Sequence, residues 1–448
     1  MIYIFIIISL VSCSKNNIQN EQNKPPLMPN DKLDIIPGTT QFADSFTKLP
    51  EGDIRYFSPD RKLAAYPDAP TFRFMCIDED EDCDSNAHVS LLHDIASTHI
   101  IPQQGSTHNY LLTVDRKKVP CATSDKCRLF ITGTNPTQED HVDPAGAGDN
   151  YYWGLSDGID APVGCDLFYI REDDDEFYSI ISDWVDKNVR MYKHEIDGDL
   201  SSGMLKDPSW MKTFSDASMT SVAGCAGCVT NPTTNPIRYL IFVCDPANNR
   251  IRVFDNDGLD TSGNVGAGNR PVDVCVVRPR GVYNEGYVYV AVQSTTDRDN
   301  DYIHVFKATG DPWSSWTDLG ALTVGGSATY FPYITKVAVA SCDFEYDETN
   351  YNNHFKIAVY MHDYNDWLSC YIRLLDVPRA SGSPPVNYYD DSTHNMWLDD
   401  ETHIKLPEGG LALGITSGGF IYFAGDRDPD LNHEDANGDG ENVAVWSS

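Results

Sequence analysis

The stretch IFVCDPANNRIRVFDNDG, residues Ile241–Gly258, consists of two short runs of alternating apolar residues joined by the turn sequence Pro-Ala-Asn-Asn. Aromatic and β-branched residues at alternate positions, interrupted by Pro, Asn and Asp, are typical of an antiparallel β-hairpin. Similar segments recur along the chain at intervals of roughly 50–70 residues. They are residues 109–133, 176–200, 238–258, 286–310, 355–377 and 419–448. The chain is therefore predicted to repeat one small β unit.

Further strand-like runs lie between the hairpins, so that each unit has about four strands. They precede hairpins at residues 270–278, 333–342 and 409–417, and follow them at 210–215, 316–324 and 395–406. A lone four-stranded sheet leaves both faces in water, whereas radial packing of several sheets buries the faces and leaves only short edges. We therefore predict an all-β fold, a β-propeller of about six four-stranded blades. Seven blades are the alternative if residues 53–67 add one.

The two ends of the chain predict how the propeller closes. The last residues, NVAVWSS (442–448), have the pattern of a third strand with no fourth strand after it. The apolar run TFRFMCI, Thr71–Ile77, is the natural candidate for the missing strand. We expect this N-terminal strand to complete the last blade and remove its free edge.

The opening stretch and the residues after it resemble the NHL-type propeller repeat. In that repeat a Val-rich strand ends in Asp, an Asn-Arg-Ile sequence begins a Val-Phe strand, and Asp-x-x-Gly precedes a Pro-led, Val-rich strand. The matching residues are Asp245, Asn249, Arg250, Ile251, Val253, Phe254, Asp255, Gly258 and Pro271. The match is good here, partial over residues 286–310 and weak elsewhere, and YVTN and YWTD propellers share much of it. The resemblance implies the propeller architecture.

The charge of the chain restricts its partners. Its 448 residues include 33 Lys and Arg against 67 Asp and Glu, a formal net charge of −34. Nucleic-acid binding depends on Lys and Arg that neutralise phosphates, and this surface would repel them. We therefore expect no nucleic-acid partner, and a protein or carbohydrate partner instead.

The N-terminus MIYIFIIISLVSCSKN indicates an export signal. Its apolar run spans roughly a dozen residues, which is too short to cross a bilayer but suits a signal peptide. Leu10-Val11-Ser12-Cys13 resembles the lipobox of bacterial lipoproteins, although no Lys or Arg precedes the run. An ordinary membrane anchor is the alternative.

The lipobox resemblance implies cleavage before Cys13 and lipid attachment to that residue, which would anchor the chain to a membrane in the cell envelope. By the same resemblance, Ser14 favours the outer membrane, on its periplasmic or surface side. The predicted organisation is a signal peptide over residues 1–12, a flexible tether over 13–32 and a propeller domain over 33–448.

The twelve cysteines agree with an oxidising compartment. Cys76 and Cys83 bracket an acidic loop, and Cys121 and Cys127 flank a predicted hairpin loop. Hairpin arms can bring Cβ atoms within the range of about 3.5–4.5 Å that a disulfide needs. These four residues are therefore the disulfide candidates, with buried free thiols as the alternative.

Other cysteines lie inside apolar runs. Cys244 and Cys275 have this setting, so we predict that they are buried free thiols. The sequence CAGC at residues 225–228 is followed by Val229 where a c-type haem site requires His, which argues against haem. A local disulfide or free thiols remain for this pair.

The loop DANGDGEN near the C-terminus is the sharpest candidate for a metal site. Asp435, Asn437 and Asp439 stand at alternate positions before Gly440, as in the first half of a calcium-binding loop. The second half departs from that pattern, so Glu441 and neighbouring acidic residues would have to supply the remaining oxygens. We predict Ca²⁺ here, and the alternative is an acidic hairpin loop.

Two functions remain open. The sequence contains no GxSxG, P-loop or kinase motif, which favours a membrane-tethered binding or scaffold module, stabilised by calcium. The alternative is a propeller enzyme, lactonase-like or quinoprotein-like, with a metal or cofactor site gathered from several blades at the central channel. Asp, Glu, Asn or His side chains from three or more blades converging within metal-binding distance at the channel would favour the enzyme, whereas a channel lined by Val, Gly and Ser, with acidity confined to peripheral loops, would favour the binding module.

Overall fold

The structure of the chain is a computed structural model. It describes residues 159–341 apart from short gaps, together with the strands that lie before and after this range. The gaps are residues 160, 170–175, 197–204, 207, 231–237, 279–283, 311–312, 325–326 and 329. Among the described residues the fold is β throughout, with two short 3₁₀ turns at Pro246–Asn248 and Arg298–Asn300.

The described strands form six sheets of four or five strands and one two-stranded ribbon. Blade 1 contains β2 Leu92–Ile100, β3 His108–Asp115, β4 Cys127–Ile131 and β6 Tyr151–Gly154. Blade 2 contains β7 Pro162–Tyr169, β8 Glu176–Asp183, β9 Asn188–Glu195 and β10 Ser209–Phe214. Blade 3 contains β11 Cys225–Val229, β12 Tyr239–Asp245, β13 Arg250–Asp255 and β14 Gly258–Asn264.

The remaining blades follow the same order from the inner to the outer strand. Blade 4 contains β15 Asn269–Val277, β16 Glu285–Ser294, β17 Tyr302–Thr309 and β18 Ser315–Ala321. Blade 5 contains β21 Ile334–Ser341, β22 His354–His362, β23 Cys370–Pro378, β24 Tyr389–Asp390 and β25 Met396–Leu398. Blade 6 contains β26 Ala412–Ile415, β27 Ile421–Ala424, β28 Val443–Ser447, β1 Thr71–Ile77 and β5 Asp140–Val142. The ribbon pairs β19 Thr323–Val324 with β20 Ser327–Ala328.

The sheets are arranged as a closed ring. The first strand of each blade, which we call its inner strand, packs against the inner strand of the next blade, and β26 of blade 6 packs against β2 of blade 1. This closed sequence of contacts is that of a β-propeller with the inner strands around a central channel. The predicted all-β propeller is confirmed, and the described strands form six blades, two of them with a fifth strand. Residues 53–67, which would have supplied a seventh, lie outside the described part.

The N-terminal strand closes the ring as predicted. β1 pairs antiparallel with β28, from Thr71 opposite Ser447 to Met75 opposite Val443. The last blade therefore takes its fourth strand from the other end of the chain. This closure satisfies the backbone groups that a three-stranded blade would leave at its edge.

The opening stretch forms the middle hairpin of blade 3. β12 and β13 pair in register from Ile241 opposite Phe254 to Asp245 opposite Arg250. Their connection is a 3₁₀ turn at Pro246–Asn248, where the fixed φ of Pro246 suits the first position. Asn249 then has φ 53° and ψ 40°, the left-handed conformation that Asn tolerates better than most residues.

The hydrophobic core lies between adjacent blades. Phe242 of blade 3 and Val290 of blade 4 are fully buried in one cluster with Trp313, which packs beneath Gly286. Further clusters lie between blades 1 and 2, 2 and 3, and 4 and 5. Each sheet thus covers the apolar face of its neighbour, the physical reason for repeating the hairpin unit.

In the described part of the chain, no helix has the length and apolar character needed to cross a membrane.

Candidate functional site

Three aspartates from three different blades line one cavity in the central channel. Asp94 comes from β2, Asp166 from β7 and Asp273 from β15, and all three are on inner strands. The cavity has a volume of about 70 Å³, which is room for several water molecules. Its other lining residues are Ala96, Cys165, Cys225, Val274, Cys275, Val276, Val337, Ala338, Val339, Leu413 and Gly414.

A β-bulge in the inner strands determines where these side chains lie along the channel. In four inner strands the pairing with the next strand skips one residue, and the residue after the skip is Asp94, Gly164, Asp273 or Lys336. A bulge of this kind re-aims the side chains that follow it. Asp166 is two residues beyond Gly164 and therefore lies on the same face of its strand.

Each aspartate also joins its blade to the next one. Asp94 Oδ2 accepts a hydrogen bond from Cys165 N at 2.9 Å. Asp166 Oδ2 accepts from Gly227 N at 2.8 Å, and Asp273 Oδ2 accepts from Val337 N at 2.9 Å. Because each donor belongs to the neighbouring inner strand, these bonds fix the orientation of the three carboxyl groups at the cavity.

One buried cation accompanies the three acidic groups. Lys336 on β21 is 1% exposed, and its Nζ lies 2.8 Å from Asp94 Oδ1 and 3.9 Å from Asp273 Oδ1. Burial alone would lower the pKa of Lys336, but the carboxylates of Asp273 and Asp94 outweigh it and raise that pKa. The lysine therefore carries its positive charge, and three acidic groups share one compensating cation.

Two of the aspartates have pKa values near neutrality. Burial raises the pKa of Asp166 to about 7, and this outweighs the hydrogen bonds from Gly227 and Leu167. Burial likewise raises the pKa of Asp273 to about 7, against the lowering effect of Lys336. The negative charge of Asp94 adds to both shifts. The channel therefore holds acids that exchange protons at physiological pH, the property required of a general acid or base.

Cys165, Cys225 and Cys275 are also among the residues that line this cavity. Burial raises the pKa of Cys225 and Cys275 well above the ordinary value for a thiol. Neutral thiols are weak nucleophiles and poor metal ligands. Among the described residues no group of three or more His, Cys, Asp and Glu side chains has the arrangement of a metal site. The arrangement is thus best suited to proton transfer by carboxyl groups.

The cysteine predictions have mixed outcomes. Cys244 and Cys275 are free thiols, as predicted, with Cys244 fully buried and Cys275 partly so. Cys225 and Cys228 are also free and lie on β11. Of the disulfide candidates, Cys83 and Cys121 lie outside the described residues, so neither pairing with Cys76 or Cys127 is tested.

The predicted calcium loop falls between β27 and β28. Its proposed ligands Asp435, Asn437, Asp439 and Glu441 lie outside the part of the chain that the structure describes. The lipidation residue, Cys13, is outside it as well.

Sequence reasoning missed the channel residues, although a signal was present. Asp94, Asp166, Asp273 and Lys336 are charged residues inside apolar strand sequences, each in the strand that begins a unit. Charged side chains are rarely fully buried unless they are paired. A charged residue recurring in the inner strand of several units therefore indicates a paired cluster at the channel.

The NHL-like residues have a structural role at the rim of blade 3. Asp245 is fully buried and accepts hydrogen bonds from Ser221 Oγ at 3.0 Å and from Arg252 Nε at 3.1 Å. Arg252 is 1% exposed and donates to Ser218 O at 2.7 Å. This network ties the blade 3 hairpin to the segment that enters the blade.

Comparison with known proteins gives similarity to solved structures only. No family model matches the chain, and no curated protein matches it. An α-L-arabinofuranosidase from Fusarium graminearum is similar over 80% of this chain and 96% of its own, with 10% identity and a TM-score of 0.41.

Two further structures are similar at lower TM-scores. An exo-β-1,3-galactanase from Clostridium thermocellum matches over 70% of this chain and 63% of its own, with 9% identity and a TM-score of 0.36. An α-L-arabinanase from Cellvibrio cellulosa matches over 70% and 97%, with 9% identity and a TM-score of 0.33. These likenesses concern overall architecture, and no residue role is carried over from them.

The prediction of a non-enzymatic binding or scaffold module is wrong. The module required a channel lined by Val, Gly and Ser with acidity confined to peripheral loops, whereas Asp94, Asp166 and Asp273 converge on the channel among its Val and Gly residues. Sequence motifs missed this because the acidic residues are 72 and 107 positions apart in the chain.

Proposed function

We propose that the chain is a hydrolase that cleaves glycosidic bonds, with Asp94, Asp166 and Asp273 supplying the acid and the base. The observation that carries this proposal is the convergence of three carboxyl groups on one cavity, two of them with pKa values of about 7. Glycoside hydrolysis is a reaction that typically uses two carboxyl groups in different protonation states.

The charge of the site favours a substrate without acidic groups. Three aspartates and one lysine face or border the cavity, and the chain as a whole has a net charge of −34. A channel of this sign repels anionic ligands, with a strength that salt reduces. We therefore propose a neutral carbohydrate as the substrate, and not a uronic-acid or sulfated polymer.

The test is hydrolysis of a panel of glycosides. It contains aryl α-L-arabinofuranoside and aryl β-galactoside, arabinan and β-1,3-galactan as neutral members, and polygalacturonate as the anionic member. Asp94→Asn and Asp166→Asn are each expected to reduce kcat/KM by at least about 100-fold, the usual contribution of a general acid or base.

The matched control is Asp257→Asn, which alters an exposed aspartate at a turn of blade 3 and is expected to leave the rate unchanged. Hydrolysis that survives both channel substitutions would contradict the assignment of these residues. Failure of the wild-type protein to act on any glycoside of the panel would contradict the proposed function.

We also propose that the protein is a lipoprotein of the cell envelope, attached through Cys13 to the outer membrane. The support is the lipobox-like sequence and the Asn- and Pro-rich tether that follows it. Expression with a radiolabelled fatty acid should label the wild-type protein and not Cys13→Ser. Equal labelling of both would remove the anchor from this position.

A calcium site at Asp435, Asn437, Asp439 and Glu441 remains a proposal that rests on their spacing. A ligand present at 100 times its Kd stabilises a protein by about 2.7 kcal/mol. Added Ca²⁺ should therefore raise the thermal midpoint relative to EDTA, and Asp435→Ala should abolish the difference. If Ca²⁺ and EDTA give the same midpoint, the loop is an ordinary acidic hairpin loop.

We further propose that blades 3 and 4 are of the NHL or YVTN type. The support is the position of Asp245 at the end of β12 and its contact with Arg252. Blade 4 has a comparable pair, in which Arg298 Nε lies 2.7 Å from the buried Asp301 Oδ2. In both blades a buried acid and an arginine hold the turn between the second and third strands.

A further inference from the structure

The position of Lys336 differs from that of the acids that surround it. Asp94 and Asp273 line the cavity, whereas Lys336 borders it from behind and is 1% exposed. A buried ammonium group is costly unless it is paired. Lys336 therefore acts on the site through Asp94 and Asp273 and not by contact with a substrate.

The two distances from the lysine are unequal. Its Nζ lies 2.8 Å from Asp94 Oδ1 and 3.9 Å from Asp273 Oδ1. The attraction between opposite charges weakens with distance and is strong where solvent is excluded. Lys336 therefore stabilises the ionised form of Asp94 more than it stabilises the ionised form of Asp273.

Asp166 has a different environment. Its two oxygens accept hydrogen bonds from the backbone N–H groups of Leu167 and Gly227, each at 2.8 Å. Burial outweighs these bonds, and the negative charges of Asp94 and Asp273 add to its effect. Asp166 is thus suited to hold a proton near neutral pH and, among the described contacts, has no ion pair with Lys336, unlike Asp94 and Asp273.

We propose that Lys336 is a positioning residue that keeps Asp94 ionised, which makes Asp94 the base and leaves Asp166 as the acid. This assignment rests on the proposed function. In the inverting form of the reaction, Asp166 gives its proton to the glycosidic oxygen as the bond from that oxygen to the anomeric carbon breaks, and the bonding electron pair stays on the oxygen. Asp94 takes a proton from the water whose oxygen bonds to the anomeric carbon. Solvent then restores both groups.

The groups around the lysine that titrate come from several inner strands. The titratable or charged groups facing the site are Asp94 on β2, Cys165 and Asp166 on β7, Cys225 on β11, Asp273 and Cys275 on β15 and Lys336 itself on β21, with Cys244 of β12 close enough to interact. Blade 6 contributes Leu413 and Gly414, which do not titrate. Since burial raises the pKa of Cys225, Cys244 and Cys275, these thiols are neutral over the range tested.

The direct test is the titration of the aspartate carboxyl carbons by ¹³C NMR. In Lys336→Met the midpoint of Asp94 is expected to rise by about 1–3 pH units, the effect of removing a close opposite charge. The control is Lys307→Met, which removes a lysine 2.9 Å from Glu285 on the outer part of blade 4 and should leave the channel aspartates unchanged. An unchanged Asp94 midpoint in Lys336→Met would overturn the inference.

A second variant decides the question if Lys336→Met does not fold. Asp94→Asn keeps an oxygen that can accept from Cys165 N and removes the competing negative charge. The negative charge of Asp94 raises the pKa of Asp273, whereas Lys336 lowers it. In Asp94→Asn, Asp273 should therefore titrate at least about 1 pH unit lower. An unchanged Asp273 midpoint in this variant would also overturn the inference.

Activity separates this inference from the proposed function. If the wild-type protein hydrolyses a glycoside, the acidic limb of its kcat/KM profile should move up in Lys336→Met by the same interval as the Asp94 midpoint. A shifted midpoint with an unshifted limb would overturn the role of Asp94 as the base. If the wild-type protein is inactive on the whole panel while the Asp94 midpoint shifts in Lys336→Met, the effect of Lys336 on Asp94 is supported. The proposed function and the assignment of Asp94 as the base and Asp166 as the acid are then both contradicted.

Discussion

The buried pair of Asp245 and Arg252 should contribute more to stability than an ion pair on the surface. Both side chains are at most 1% exposed, and Arg252 Nε lies 3.1 Å from Asp245 Oδ2. Asp245→Ala leaves the buried guanidinium with the carbonyl and hydroxyl oxygens of Ser218 and with one carboxylate, the partly exposed Asp216 at 3.4 Å. It also removes the acceptor of Ser221 Oγ.

Breaking a buried pair by removing one partner costs about 3–5 kcal/mol, because the remaining charge is not compensated. We expect Asp245→Ala to lower the free energy of unfolding by that amount, measured from urea unfolding followed by tryptophan fluorescence. The double variant Asp245→Ala/Arg252→Met should be more stable than Asp245→Ala alone, because it no longer buries a guanidinium that has lost its buried carboxylate partner.

The control is the exposed pair of Arg190 and Asp186, at 3.4 Å, in which Asp186 is 40% exposed at its side chain. Asp186→Ala should cost no more than about 1 kcal/mol, the usual value for a surface pair. If Asp245→Ala costs as little as Asp186→Ala, the NHL-like aspartate does not hold the blade. If the double variant is less stable than Asp245→Ala, the guanidinium without its buried carboxylate partner is not the cause of the loss.

Two further predictions concern the channel. In Gly224→Ala the new Cβ would lie 2.1 Å from Asp273 Oδ1 and 2.7 Å from Asp273 Cα. The variant should therefore lose about 1–3 kcal/mol of stability and shift the Asp273 titration. The control is Gly286→Ala, whose new Cβ would lie 1.9 Å from Trp313 and which should lose stability without shifting that titration. An unshifted Asp273 in Gly224→Ala would contradict this packing. Between pH 3.8, the ordinary pKa of an aspartate, and a pH of about 7, the folded protein binds more protons at Asp166 and Asp273 than the unfolded chain does. The stability that these two residues contribute should therefore fall as the pH rises through that window. Urea unfolding at pH 5.5 and 7.5 should therefore show a smaller difference in Asp273→Asn than in the wild type, and an equal difference would refute it.

The blade pattern could be predicted from the sequence because it is local. Alternation of apolar and polar residues fixes which face of a strand is buried, and the turn residues fix where a hairpin reverses. The hairpin at Ile241–Gly258 carries both signals within 18 residues. Ring closure by Thr71–Ile77 followed from the same reasoning, because the last blade had one strand too few.

The site could not be predicted in the same way, because it depends on bulges. The pairing of β15 skips Val272 before Asp273, and that of β21 skips Thr335 before Lys336. A shift of one residue in a strand reverses which face its side chains occupy. Periodicity alone therefore gives no reliable direction for Asp273 or Lys336, and residues 63 positions apart share no local pattern.

Asp166 combines a role in the ring with its proposed role in chemistry, and these can be separated. Its Oδ2 accepts from Gly227 N in the next blade, a bond that the amide oxygen of Asn can replace and that Ala cannot. Asp166→Ala should therefore be less stable than Asp166→Asn by about 1–3 kcal/mol, the cost of leaving a buried donor unsatisfied. Hydrolysis should be lost equally in both, since neither side chain can donate a carboxyl proton. Equal stability of the two variants, measured by urea unfolding, would mean that this bond does not hold the blades together. Activity retained by the Asn variant alone would mean that Asp166 orients the site and does not supply the proton.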